Sequence, residues 1–174
     1  MNDYDIWRFG IKRRTFIKSM LVLTGAAATV STSGCADYPE AEGDFAFLDD
    51  KTHAVIKSFS ERIIPKGGAF PEGAEDIEVT DFFDKLVGAQ PPEIQKNMRS
   101  GIMLLEHAPI FLMFKFKRFT QLTDDEKDQY LKKWEGSGVA LFRGVFKGFK
   151  NICTLGFFSN EKVWKYIGYD GPPI

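Results

Sequence analysis

Two histidines, His53 and His107, and two cysteines, Cys35 and Cys153, are the only side chains from which this chain could build imidazole or thiol chemistry. Neither histidine stands in an H-E-x-x-H or a mixed Cys/His ligand spacing, so no motif-borne zinc site is readable. The serines carry no G-x-S-x-G elbow, and no C-x-x-C-H is present to attach a haem. The carboxylate pairs Asp49-Asp50 and Asp124-Asp125 each precede a helical apolar pattern. Negative charge is favoured at a helix N-terminus, so capping explains them without acid–base catalysis. The Gly/Pro-containing stretch from Lys66 to Glu75 lacks both the Gly-Lys-Ser/Thr of a P-loop and the G-x-G-x-x-G of a dinucleotide turn. The expectation is a chain with no catalytic, cofactor-binding or metal-binding residue of its own.

The chemistry legible near the N-terminus is that of export. Lys12-Arg13-Arg14-Thr15-Phe16-Ile17-Lys18 resembles the twin-arginine translocation motif, with Arg13, Arg14, Phe16 and Lys18 in the recognised places and Lys12 where Ser or Thr is usual. A weakly apolar, Gly/Ala-rich run from Ser19 to Val30 follows, shorter than the roughly 20 residues that span a bilayer as a helix. Thr32-Ser33-Gly34-Cys35 then resembles a lipobox, which makes Cys35 the expected lipidation site and gives the chain a membrane anchor. The expected organisation is a signal peptide over 1–34, a lipidated tether over 35–45 and a helical domain over 46–174. Twin-arginine signals serve proteins that fold or assemble before crossing, so the translocase is an expected partner and the periplasmic side of the membrane the expected location.

Removing the signal takes five of the 23 basic and two of the 24 acidic residues and leaves a net charge of −4. That mild acidity offers no electrostatic footprint for nucleic acid. Aromatic residues make up 14% of the chain, with 17 phenylalanines, nine of them between Phe111 and Tyr169. They predict a Phe-rich core, part of whose surface meets a partner.

The elements that position these residues read as helices. Acids at Asp49-Asp50 open one that carries Val55, Ile56, Phe59, Ile63 and Ile64, and Pro65 stops it. Thr80 is the expected cap of a helix with Phe82, Phe83, Leu86 and Val87, ended by Gly88. Pro91-Pro92 starts the next, with Ile94, Met98, Ile102 and Leu105 inward and Pro109 as its end. The stretch 110–119, where Phe alternates with Lys, reads as a helix or an extended connector. Thr123-Asp124-Asp125-Glu126 is a capping box ahead of Tyr130, Leu131 and Trp134, with Gly136 closing the helix. A last long helix from about Gly138 aligns Phe142, Val145, Phe149, Ile152 and Cys153, broadened by Leu141 and Phe146, while Gly144 and Gly148 are expected to admit another backbone at close range. The fold class is all-α, an irregular helical domain.

The C-terminal segment from Thr154 to Pro172, with Thr-Leu-x-Phe-Phe and Ile-Gly-Tyr-x-Gly-Pro as its specific elements, resembles the signature of the gluconate 2-dehydrogenase subunit 3 family. The twin-arginine start, the Arg62-Ile63-Ile64-Pro65 helix end and the capping box after Leu122 extend the likeness over nearly all of the chain. The resemblance implies a non-catalytic small subunit, pairing with a FAD-dependent large subunit of the glucose-methanol-choline oxidoreductase type. FAD would then sit in the partner, and a multihaem cytochrome c is a further implied partner. The expected interface is the aromatic C-terminal segment, Phe157, Phe158, Trp164, Tyr166 and Tyr169, packed in part on the domain's own core. Cys153 admits two readings, a buried small hydrophobe or a disulfide to the large subunit. Two roles of other classes compete: an independent enzyme, and a free-standing envelope lipoprotein that binds a ligand or scaffolds other proteins.

Overall fold

The computed structural model describes residues 38–171; the export motif, with Arg13, Arg14, Phe16 and Lys18, and the lipidation candidate Cys35 lie outside the described residues. Among the described residues seven α-helices and one short 3-10 turn form the domain, with no strand. In chain order they are α1 Asp50–Ile63, α2 Val79–Gly88, α3 Pro92–His107, α4 Pro109–Leu112, the 3-10 turn Phe119–Gln121, α5 Asp124–Glu135, α6 Ala140–Phe158 and α7 Glu161–Ile167. The all-α expectation holds.

Helix α1 begins where the acids predict. Asp49 caps it, accepting the Thr52 amide at 2.9 Å while the Thr52 hydroxyl accepts the Asp49 amide at 2.9 Å. This helix is the centre of the domain and touches α2, α3, α5, α6 and the 3-10 turn. Val55, Ile56 and Phe59 are accordingly fully buried. Phe59 meets Phe146 and Phe149 of α6 edge-on at ring separations of 6.0 and 5.9 Å, so Phe59→Ala would leave a cavity costing about 3–5 kcal/mol. At the other end, Arg62 donates to both carboxylate oxygens of Asp128 at 2.8 and 2.7 Å and tethers α1 to α5.

Three local expectations are corrected. Helix α2 is capped by Glu78, in a left-handed conformation with φ 54° and no side-chain cap bond, while Thr80 lies buried inside the first turn. The reason is tertiary: the 74–79 turn closes through Val79 N–H to Ala74 O, and the helix starts directly from it. Pro109 ends α3 but also opens α4, as a proline at N1 can, because its missing N–H is not needed there. Beyond Leu112 the chain is neither helix nor strand until Phe119. Gly144 and Gly148, in turn, meet nothing within 4 Å. Among the glycines inside helices the close approaches fall on Gly156, where a Cβ would lie 2.7 Å from the Phe82 ring of α2, and on Gly101, where it would lie 3.1 Å from Phe149.

A buried acid that the sequence pattern did not single out holds the entry to α1. Asp84 of α2 accepts the amides of Ala46, Phe47 and Leu48 at 2.9, 2.8 and 2.7 Å. These three donors have no sheet or helix partner, and the carboxylate satisfies them together.

Candidate partner interface

The C-terminal aromatics are brought together by a short helix set against the end of a long one. Asn160 caps α7 by accepting the Lys162 amide at 3.0 Å, and Gly168, in the left-handed region at φ 66°, ends it. The Tyr169 amide then returns to the Trp164 carbonyl at 3.1 Å. Val163 buries itself as the one fully enclosed side chain of α7. Trp164 Nε1 donates to the Phe158 carbonyl at 3.0 Å and Tyr169 stands edge-on to the Trp164 ring at 5.1 Å. Phe70, from the loop after α1, meets Phe157, Phe158 and Tyr166 at 5.4, 5.7 and 6.0 Å. The Tyr166 hydroxyl is 2.9 Å from a Glu72 carboxylate oxygen, and Lys165 lies over the Tyr166 ring at 4.6 Å.

These contacts divide the predicted interface in two. Phe157 is 1% exposed and belongs to the core, as does Cys153 at 0%. Burial pushes the Cys153 thiol up to about 12, so it is neither accessible nor ionised. Of the two readings of Cys153 the burial supports the small hydrophobe: for a disulfide, a partner's sulfur would have to enter between α6 and its neighbours to reach it. Phe158, Tyr166 and Tyr169 remain 37%, 40% and 46% exposed, and Leu155 and Ile167 extend the same apolar character on α6 and α7. A cavity of about 200 Å³ next to them is lined by Ile64, Phe70, Thr154, Phe157 and Phe158. Trp164 is half-buried.

A second apolar surface runs between α3 and α6. Ile94, Met98 and Leu104 on one helix and Leu141, Gly144 and Val145 on the other line a groove of about 520 Å³. Asn97 and Ser100 are its polar side chains, and no cation lines it to meet a diphosphate. It has the dimensions of a ligand pocket. No group of three or more His, Cys, Asp and Glu that could hold a metal ion occurs among the described residues, and no described helix is long and apolar enough to cross a membrane.

A third surface was missed as a site. Between Pro109 and Phe119 the side chains of Phe111, Phe114 and Phe116 are 76%, 87% and 92% exposed. The segment is nevertheless anchored. Glu106, fully buried, accepts the Thr120 amide at 3.1 Å and the Thr120 hydroxyl at 2.7 Å, and Arg118 lies 3.8 Å away. Lys115 pairs with Glu126, holding that carboxyl down to about 2 together with the Thr123 amide. The sequence carried no signal for this exposure, because Phe alternating with Lys at 114–117 is equally the pattern of a half-buried strand.

Two comparisons bear on the whole. A family model described as gluconate 2-dehydrogenase subunit 3 matches residues 50–171, from the first helix to the last described residue. A long-chain-alcohol oxidase of Arabidopsis thaliana is 38% identical over 63 residues, which are 33% of this chain and 9% of that enzyme. The chain thus spans under a tenth of the length of that relative. No solved structure matches.

Proposed function

Since this chain belongs to the gluconate 2-dehydrogenase subunit 3 family, we propose that it is the non-catalytic small subunit of a FAD-dependent dehydrogenase complex of the glucose-methanol-choline type. The flavin is held by the large subunit. The small subunit carries the twin-arginine signal, and the assembled pair crosses the membrane on that one signal, to be retained on the periplasmic side by a lipid on Cys35. A cytochrome c accepts electrons from the complex.

The observation that carries this reading is the exposed aromatic face at the C-terminal end of the matched region, where Phe158, Tyr166 and Tyr169 are held in place yet left uncovered. Ordered aromatic rings at low entropic cost are the material of protein interfaces. The oxidase relative adds a second support, because a stretch similar to this chain occurs there inside a single long alcohol-oxidising polypeptide.

The test uses the full chain in its native host. Arg13→Lys with Arg14→Lys replaces the planar, multidentate guanidinium pair that the translocase recognises. Flavin-dependent dehydrogenase activity is expected to leave the periplasmic fraction and accumulate in the cytoplasm, with flavin absorbance co-purifying with the tagged small subunit from that compartment. Undiminished periplasmic activity in the double variant would refute joint export, and a tagged subunit that brings down no flavoprotein would refute the complex itself.

A further inference from the structure

Three phenylalanines exposed almost as fully as in an extended peptide are costly to keep in water, and here they stand on a segment that is built to hold them there. Pro109 is buried at one end and Phe119 at the other. Leu112 and Met113 pack partly on the core, and the Met113 amide closes onto the Pro109 carbonyl at 2.9 Å. Phe114 adopts φ 54°, a left-handed conformation that costs a non-glycine residue roughly 1–2 kcal/mol and turns the chain outward. Glu106 and Glu126 fix the root through Thr120 and Lys115.

The charges around these rings have one sign in the sequence. From His107 to Leu122 there are Lys115, Lys117 and Arg118 and no Asp or Glu. Glu126 and Glu106 are engaged with the segment's cations at the root, Glu126 with Lys115 and Glu106 with Arg118, and the field of Glu126 also reaches Lys117. Lys117 is exposed at the tip, and Lys51 of α1 adds a further cation 3.1 Å from His107, at the base. Protein interfaces deplete lysine at their centres and seat aromatics in pockets. Single projecting phenylalanines alternating with lysine instead match a bilayer interface, where rings enter below the headgroups and ammonium groups meet lipid phosphates. We propose that the 109–119 segment is a membrane-contact element, in which Phe111, Phe114 and Phe116 enter the interfacial layer of an anionic bilayer and the neighbouring cations, Lys117 foremost, bind its headgroups. It orients the domain on the membrane, and it does not depend on the identity of the partner.

The experiment uses the full chain with Cys35→Ser, so that no acyl group contributes, and an environment-sensitive fluorophore attached through Phe114→Cys. Cys153 is fully buried and does not compete for the label. With vesicles of phosphatidylethanolamine and phosphatidylglycerol the emission is expected to shift to the blue and to be quenched by brominated acyl chains. Phosphatidylcholine vesicles should give a weaker response, and salt should weaken the response to the anionic ones. Phe111→Ser with Phe116→Ser should lower the affinity for anionic vesicles at least about tenfold, and Lys117→Glu about three- to tenfold. The same label placed through Glu161→Cys, on α7, should stay in water. An unchanged emission at position 114 while the chain sediments with vesicles, or an equal response at both positions, would overturn the proposal. A shift at position 114 that only the purified flavoprotein produces would assign the segment to the protein interface instead.

Discussion

The segment 109–119 follows α3 and the segment 155–169 runs from the last turn of α6 through α7; each carries several aromatic rings, and they differ in what stands behind those rings. Around α7 every exposed ring leans on another group: Tyr166 on Phe70 and Glu72, Tyr169 on Trp164, Phe158 on Phe157. Phe111, Phe114 and Phe116 make no ring contact among the described residues, and only the backbone beneath them is secured. Aromatic content is therefore not a single signal. Rings backed by other rings form a surface that a second protein can cover, whereas rings backed by solvent need an environment that accepts them one at a time.

The comparison can be broken at the roots of the two segments. The largest effect is expected from Glu106→Ala, which leaves the Thr120 amide and hydroxyl and the neighbouring Arg118 without the carboxyl that receives them. A loss of about 2–4 kcal/mol in urea unfolding is expected, with the vesicle response of the 109–119 segment lost in parallel. If stability fell while the response stayed, the segment would not need its anchor.

Gly156→Ala tests the other root. Its added methyl would meet the Phe82 ring at 2.7 Å and force α6 and α2 apart or Phe82 aside. A loss of about 1–2 kcal/mol is expected, together with weaker capture of the flavoprotein and an unchanged vesicle response. Equal loss of both functions would mean that the two surfaces are not independent.

The smallest and sharpest effect is at Phe114. Phe114→Gly relieves the left-handed strain and should raise stability by about 0.5–1 kcal/mol while lowering the affinity for anionic vesicles. Opposite signs for stability and binding are the mark of a residue kept for contact rather than folding. A destabilised Phe114→Gly variant would instead place the ring among the structural ones.

Much of the fold was legible because it is written in near neighbours. The capping box at Thr123 forms as its residues predict, α1 starts at the acids that open it, and Gly136 and Gly168 stop their helices. The apolar spacing of α1, α3 and α5 picks out Val55, Ile56, Phe59, Ile102, Leu105, Tyr130, Leu131 and Trp134 as buried, whereas Ile63, Ile64 and Met98 are only partly so, and Ile94 of α3 and Leu141 of α6, near the starts of their helices, stay exposed. Within the expected interface segment the structure buries Phe157 and leaves Phe158, Tyr166 and Tyr169 exposed, a sorting that the sequence pattern could not make. Phe157 and Phe158 are adjacent, and which one faces inward depends on where α2 and the Phe70 loop arrive.

What the sequence by itself determined, then, is the helical class, most helix ends and the family signature, since these rest on interactions within a turn or two of chain. Only the tertiary structure decided that Asp84 gathers the amides of residues 46–48 nearly forty positions away, that Gly156 rather than Gly144 is the point of close approach, that Cys153 is sealed in the core, and that Phe111, Phe114 and Phe116 are not. The physical reason is the same in each case. Burial and long-range hydrogen bonding depend on which distant helix packs against a residue, and no pattern of near neighbours carries that information.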